Sequence, residues 1–265
     1  MMTCRIDNID YLIAENFNEL SKEQLLFYIE NFYMQLPRFF QQIKDADEVE
    51  LVSNKIYEAV RIVQLWNLLR IDKETFDAFS AEDIYFIMEE MELCHFLSEP
   101  STLTKNHFFK LENGWVGPLD DFNDFTAGEY LWTDLFYRNY KAGDNNALNA
   151  LIATIYRPIV KGKRVPLSHL DIDKREAYIK NLPDSTKIAI LLYYEGCMKM
   201  QYEAYSDAFS GGSDAGNTYN DLLLQVAKDG PFGDYNQVIE TNINLINQEL
   251  VRLKREAAEL EKKLK

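Results

Sequence analysis

Eight apolar residues near the end of this chain keep a strict seven-residue beat. Ile239, Ile243, Ile246, Leu250, Leu253, Ala257, Leu260 and Leu264 follow one another at intervals of 4-3-4-3-4-3-4. A helix with that spacing carries a narrow apolar seam, suited to one facing helix rather than to the broad contact of a fully buried helix. Glu249, Lys254, Glu256, Glu261 and Lys263 flank it. A helix of another chain or the chain's own domain folded back would cover such a seam equally well. Ile239, Ile243, Ile246, Leu250, Leu253, Leu260 and Leu264 are therefore the first candidates for partner binding, with self-association through this helix as one outcome.

The rest of the chain reads as shorter helices divided by breakers. In "LSKEQLLFYIENFYMQL", Ser21 and Gln24 form a capping box, and Pro37 is expected to stop or kink the helix. "NKIYEAVRIVQLWNLLR" sets Ile56, Val60, Val63 and Asn67 on one stripe, with Ile62, Leu65 and Leu69 beside it. That breadth predicts a well-buried helix. A helix capped by Ser80 follows and runs to about Leu97. From Glu99 to Asp124 the helical period disappears; "LTKNHFFKL" reads as a short strand closed by a turn at Asn113-Gly114.

Helical spacing resumes in "TAGEYLWTDLFYRNY", where Thr126 and Glu129 repeat the capping-box pattern. Asp144 is positioned to cap the next helix, whose Leu148, Leu151, Ile152 and Ile155 share one face. That helix must end at Arg157, since the residue before a proline is pushed out of helical geometry. A long tyrosine-rich helix follows Pro183, and a shorter one ends at Gly230-Pro231. The expected architecture is mainly α, a multi-helix bundle in two helical subdomains with a long C-terminal heptad helix. Its parts are an acidic N-terminal subdomain (1–98), an irregular joint that could hold a short hairpin (99–124), a second helical subdomain (125–232) and the coiled-coil-like helix (233–265).

Charge separates the two halves. Residues 1–130 hold 10 Lys and Arg against 25 Asp and Glu, whereas residues 131–265 hold 18 of each, so the net −15 lies entirely in the first half. Such a field disfavours nucleic acid and favours solubility or a basic partner. No apolar run approaches the roughly 18 residues of a membrane span, and "MMTCRIDNID" lacks the order of a signal peptide. Three scattered cysteines (Cys4, Cys94, Cys197) without a CxxC fit a reducing cytoplasm.

Motifs that carry chemistry are sparse. Glu92 and His95 have the i, i+3 spacing of a di-iron helix, but such sites need a second unit, and His107 and His169 follow Thr104 and Pro166 at that interval. "SGGSDAGN" lacks the lysine and the preceding strand of a phosphate loop. No nucleophile elbow is present. The reading is of no catalytic group, no metal and no cofactor. A basic loop, "RPIVKGKR", adds Arg157, Lys161, Lys163 and Arg164, which would suit phosphate or an acidic protein face. Without interleaved aromatics it reads as a solvated loop.

Three stretches, "LSKEQLLFYIENFY", "FTAGEYLWTDLFY" and "ALNALIATIYRPI", together resemble a family encoded among the tail genes of phages and prophages of Bacteroidetes, described as tail assembly chaperone-like or tail-module proteins. "FTAGEY" and "IYRP" are the anchors of the likeness. The resemblance implies a non-enzymatic assembly role in the bacterial host's cytoplasm, with other tail proteins, such as the tape-measure protein, as partners. A structural protein of the tail or neck, retained in the virion, is the first alternative, and a helical enzyme or metal-binding bundle the second. Within this likeness Tyr156-Arg157-Pro158 is a structural stop, with an arginine free to pair with a carboxylate.

Overall fold

Two antiparallel strands, β1 (Met2–Ile6) and β2 (Ile9–Ile13), open the chain, pairing Met2 with Ile13 and Ile6 with Ile9. The computed structural model describes residues 1–6, 9–38, 46–90, 96–167, 172–209 and 219–264. The fold is mainly α-helical, with several helices and only two small sheets among those residues. It divides into two units, residues 1–103 with 184–192, and residues 104–183 with 193–265.

In the first unit, Ser21 caps α1 (Lys22–Tyr28) through the expected box: its hydroxyl accepts from the Gln24 amide, and the Gln24 side chain accepts from the Ser21 amide. Gln24 also acts at a distance. Its amide donates to the carbonyls of Asn67 and Leu68, which the end of α2 (Ala46–Leu69) leaves without helical partners. Arg70, in left-handed backbone, donates to the Gln24 oxygen at 2.8 Å. One buried glutamine thus ties the start of one helix to the end of another.

Pro37 does not stop the helix that precedes it. Residues Ile29–Gln35 form a π-helical stretch, and Leu36 donates to Asn31, five residues back. The wider turn gives a ring without an N–H room against the preceding carbonyls. Around Phe17, edge-on contacts with Tyr28 and Phe96 join Ile13, Leu25, Ile29, Leu65 and Leu68 in a core. α2 is less buried than its stripe predicts. Among its described side chains Leu65, Leu68 and Leu69 are buried and Ile56 and Val60 half-buried, but Ile62 and Val63 are exposed. α3 (Lys73–Asp77) and α4 (Ala81–Glu90) follow in this unit, then two short 3-10 turns at Phe96–Ser98 and Pro100–Thr102.

The second unit begins with the segment expected to be a joint. No strand forms over 103–111; a single bridge, Lys110 with Val116, closes a tight turn in which Gly114 has φ +84°. Leu103, Phe108, Leu111, Val116, Phe122 and Phe125 are buried, and Phe122 stacks on Phe125 at 4.0 Å. α5 (Ala127–Lys141) and α6 (Asn145–Ile155) pack together, and every residue of α6 from Ala147 to Ile155 is buried. Asp144 caps α6 as predicted. A two-residue hairpin, β3 (Ile159–Val160) with β4 (Lys163–Arg164), follows, then α7 (Ile172–Ile179). α8 (Asp184–Ala204) contributes residues to both units.

Ser206–Phe209 (α9), Tyr219–Asp229 (α10), Tyr235–Glu240 (α11) and Ile243–Leu264 (α12) complete the second unit. Ala127, Ala208, Leu223, Val226, Val238, Ile246 and Leu250 form one buried cluster. α11 reaches α5 closely enough that a β-carbon on Gly128 would lie 2.9 Å from the Ile239 carbonyl.

Candidate functional site

The two segments that anchor the resemblance meet in the second unit. Thr126 caps α5, accepting from the Glu129 amide at 3.2 Å while the Glu129 carboxylate accepts from the Thr126 amide at 2.9 Å. Glu129 is fully buried. Its Oε1 receives Arg157 Nη2 at 2.6 Å and Arg164 Nη1 at 2.8 Å, and its Oε2 receives Arg164 Nη2 at 3.3 Å. Arg164 also reaches Asp124, by its carbonyl at 2.8 Å and its carboxylate at 3.1 Å. Two guanidinium groups and a backbone amide therefore occupy all the accepting positions of one carboxylate.

The chain after α6 is shaped to deliver those arginines. Pro158 forbids further helix, and Arg157 turns instead into backbone pairing with Val116, donating and accepting at 3.0 and 2.9 Å. The turn Lys161-Gly162, both residues at positive φ, reverses the chain so that Arg164 returns beside Glu129. Tyr156, fully buried, donates to Asn106 at 3.0 Å, and Asn106 donates to the Pro118 carbonyl. Arg175 on α7 donates to the Tyr156 carbonyl at 2.9 Å. Burial lowers the acid strength of the Tyr156 phenol, and burial pulls the Arg157 pKa down from its ordinary value, with Glu129 acting in the opposite direction.

The cluster has the chemistry of a clasp. A general base needs a free lone pair and a nucleophile needs one beside it; the Glu129 oxygens are already engaged. Cys197 is buried beside the Thr104 carbonyl, and that burial pushes its thiol up, away from the reactive thiolate. Among the described residues no group of three or more His, Cys, Asp or Glu side chains could hold a metal ion, and no helix is long and apolar enough to cross a membrane. Glu92, Cys94, His95, His169 and "SGGSDAGN" lie outside the described residues.

The basic loop separates into two pairs. Lys161 and Lys163 are exposed at the hairpin tip, beside exposed Ile159 and Val160. Arg157 and Arg164 are not part of a solvated loop; their side chains are 3 % and 8 % exposed and belong to the clasp. A glutamate at the third position of an apolar helical start, and an arginine ahead of a proline in an apolar run, are the only local signs of it in the sequence. Asp124, Asn106 and Arg175 gave none.

The heptad seam also divides. Ile243 and Ile246 are fully buried and Leu250 is 2 % exposed, so this part folds back on its own unit, and Ile239 packs against the same cluster. Leu253 is half-buried, Ala257 is exposed and Leu260 is 60 % exposed. The Leu264 side chain lies outside the described ones. Beside this helix a cleft of about 310 Å³ is lined by Tyr205, Asp207, Gln248, Val251 and Arg255. Other exposed apolar residues are Trp132 and Leu135 on α5.

Compared with known proteins, the chain matches no family model, no curated protein and no solved structure.

Proposed function

We propose that this protein is a non-enzymatic assembly factor of a phage or prophage tail, acting as a chaperone-like binder of other tail components. The observation that carries the reading is the resemblance of "FTAGEY" and "IYRP" to tail-module proteins, supported by the role those residues have here: Glu129 of one clasps Arg157 of the other. Recurrence of both motifs together is then explained by folding, without an active site. The clients are helical tail proteins, the tape-measure protein among them. Affinity comes from exposed apolar residues such as Trp132 and Leu135, and solubility of the complex from the acidic first half.

The structural-virion alternative is favoured by one feature, the exposed continuation of the heptad seam on α12, which suits a permanent contact. Quantitative mass spectrometry of the producing cells and of purified particles separates the two. Abundance in the lysate with absence from particles supports the chaperone. A fixed copy number per particle supports the structural role. Accumulation in cells that make no particles overturns both.

A further inference from the structure

We infer that the exposed end of α12 pairs antiparallel with the same segment of a second copy of this chain, Ala257 of each copy packing on Leu260 of the other. The seam does not stop where its own core stops. Ile243, Ile246 and Leu250 are buried within the unit and Leu253 packs partly against the same cluster, yet the 4-3 spacing continues through Ala257 and Leu260, which the unit leaves exposed. Continuity of one seam from a filled half to an open half calls for a helix in the open half.

Charge and side-chain size select the occupant and its direction. With two copies parallel, Ala257 would meet Ala257 and leave a gap, and by sequence register Glu256 would meet Glu261 of the second copy, a like-charge contact. With two copies antiparallel and Ala257 opposite Leu260, a small residue faces a large one in both central layers, which fills the space. The same register brings Glu256 opposite Lys263 twice, once on each side of the two-fold axis. Lys254 contributes nothing to this count, because its ammonium donates to the carbonyls of Asp207 and Ala208. Glu256 pairs with Arg252 on its own helix and still lies on the exposed side facing the second copy.

The overlap, from Glu256 to Lys263, is about 8 residues, or about 12 Å of helix. A contact that short buries less than the ~1,000 Å² of a stable dimer, so the pairing is weak and concentration-dependent, with dissociation constants on the order of tens to hundreds of micromolar. It is independent of the tail-assembly reading, and either can fail alone.

Sedimentation equilibrium of the full chain from about 10 µM to about 1 mM tests it. The wild type should shift from monomer to dimer across that range, and Leu260→Asp should remain monomeric with an unchanged melting curve, since Leu260 is already exposed. Glu256→Lys should weaken the dimer by about 3- to 10-fold, and adding Lys263→Glu should restore it. For direction, Ala257→Cys and Leu260→Cys variants are oxidised separately and as a mixture, with the wild type as background for its native cysteines. Antiparallel pairing gives a 257–260 disulfide in the mixture and little in either variant alone. A monomer at every concentration, tightening by Glu256→Lys, or efficient 257–257 and 260–260 disulfides would each overturn the proposal.

Discussion

Removing the carboxylate of Glu129 is the sharpest perturbation that this fold offers. In Glu129→Ala, Arg157 at 3 % exposure keeps its charge but loses its counter-ion at 2.6 Å. Arg164 retains Asp124, so the cost falls chiefly on Arg157. Breaking a buried pair from one side costs about 3–5 kcal/mol, because the remaining charge stays desolvated. Loss of the capping box lies within that figure, at about 1 kcal/mol. For a unit of this size the melting point should fall by about 6–20 °C. Urea unfolding followed by tryptophan emission in a Trp66→Phe background measures it, because Trp115 and Trp132 then report on the second unit alone. Glu129→Ala with Arg157→Met should be less destabilised than the sum of the single variants, since no unpaired guanidinium remains. A single-variant cost below about 1 kcal/mol, or strict additivity in the double variant, would refute the clasp.

Other outcomes follow from close contacts and from titration. Gly117→Ala should destabilise the second unit by about 1–3 kcal/mol, because its β-carbon would meet the Tyr156 ring at 2.7 Å and Asn106 at 2.8 Å; calorimetry checks this. Gly128→Ala should also destabilise despite a helix gain of about 1 kcal/mol, since the Ile239 carbonyl stands 2.9 Å away and is backbone; a stabilised variant would mean that α5 and α11 are farther apart. Burial pushes the Tyr28 phenol up to about 12 from 10.0. The unfolded chain then ionises first, and stability present below pH 10 is lost between pH 10 and about pH 12. At 1.36 kcal/mol per unit this is about 2–3 kcal/mol, by which the alkaline loss of stability in urea titrations should be smaller in Tyr28→Phe than in the wild type.

What the sequence made legible was local. The boxes at Ser21 and Thr126 and the cap at Asp144 each join residues two or three positions apart, and all three form. Pro37, expected to stop or kink its helix, does not stop it, because a proline can also be absorbed by a wider turn, which no single residue announces. Ile62 and Val63 satisfy a helical stripe, yet periodicity does not say how far along a helix its neighbours extend. The clasp joins residues 28 and 35 positions apart in sequence, Glu129 to Arg157 and Glu129 to Arg164. One net charge count for the loop could not separate two buried arginines from two exposed lysines. The heptad beat was plain from its spacing, whereas the point where it leaves its own core is set by the reach of α9 and α10.

The division of α8 between the two units has a consequence for how the protein is made. The first unit includes residues 184–192, which leave the ribosome only after the 80 residues from 104 to 183 have been synthesised. At about 5–20 residues per second, that is a wait of roughly 4–16 s. During that interval the acidic N-terminal segment lacks its last helical stretch, so its core cannot be completed before residue 192 has been made. Its completion is timed by the unit that interrupts it, and a pause in translation near residue 183 would prolong the period in which an unfinished apolar core meets other chains.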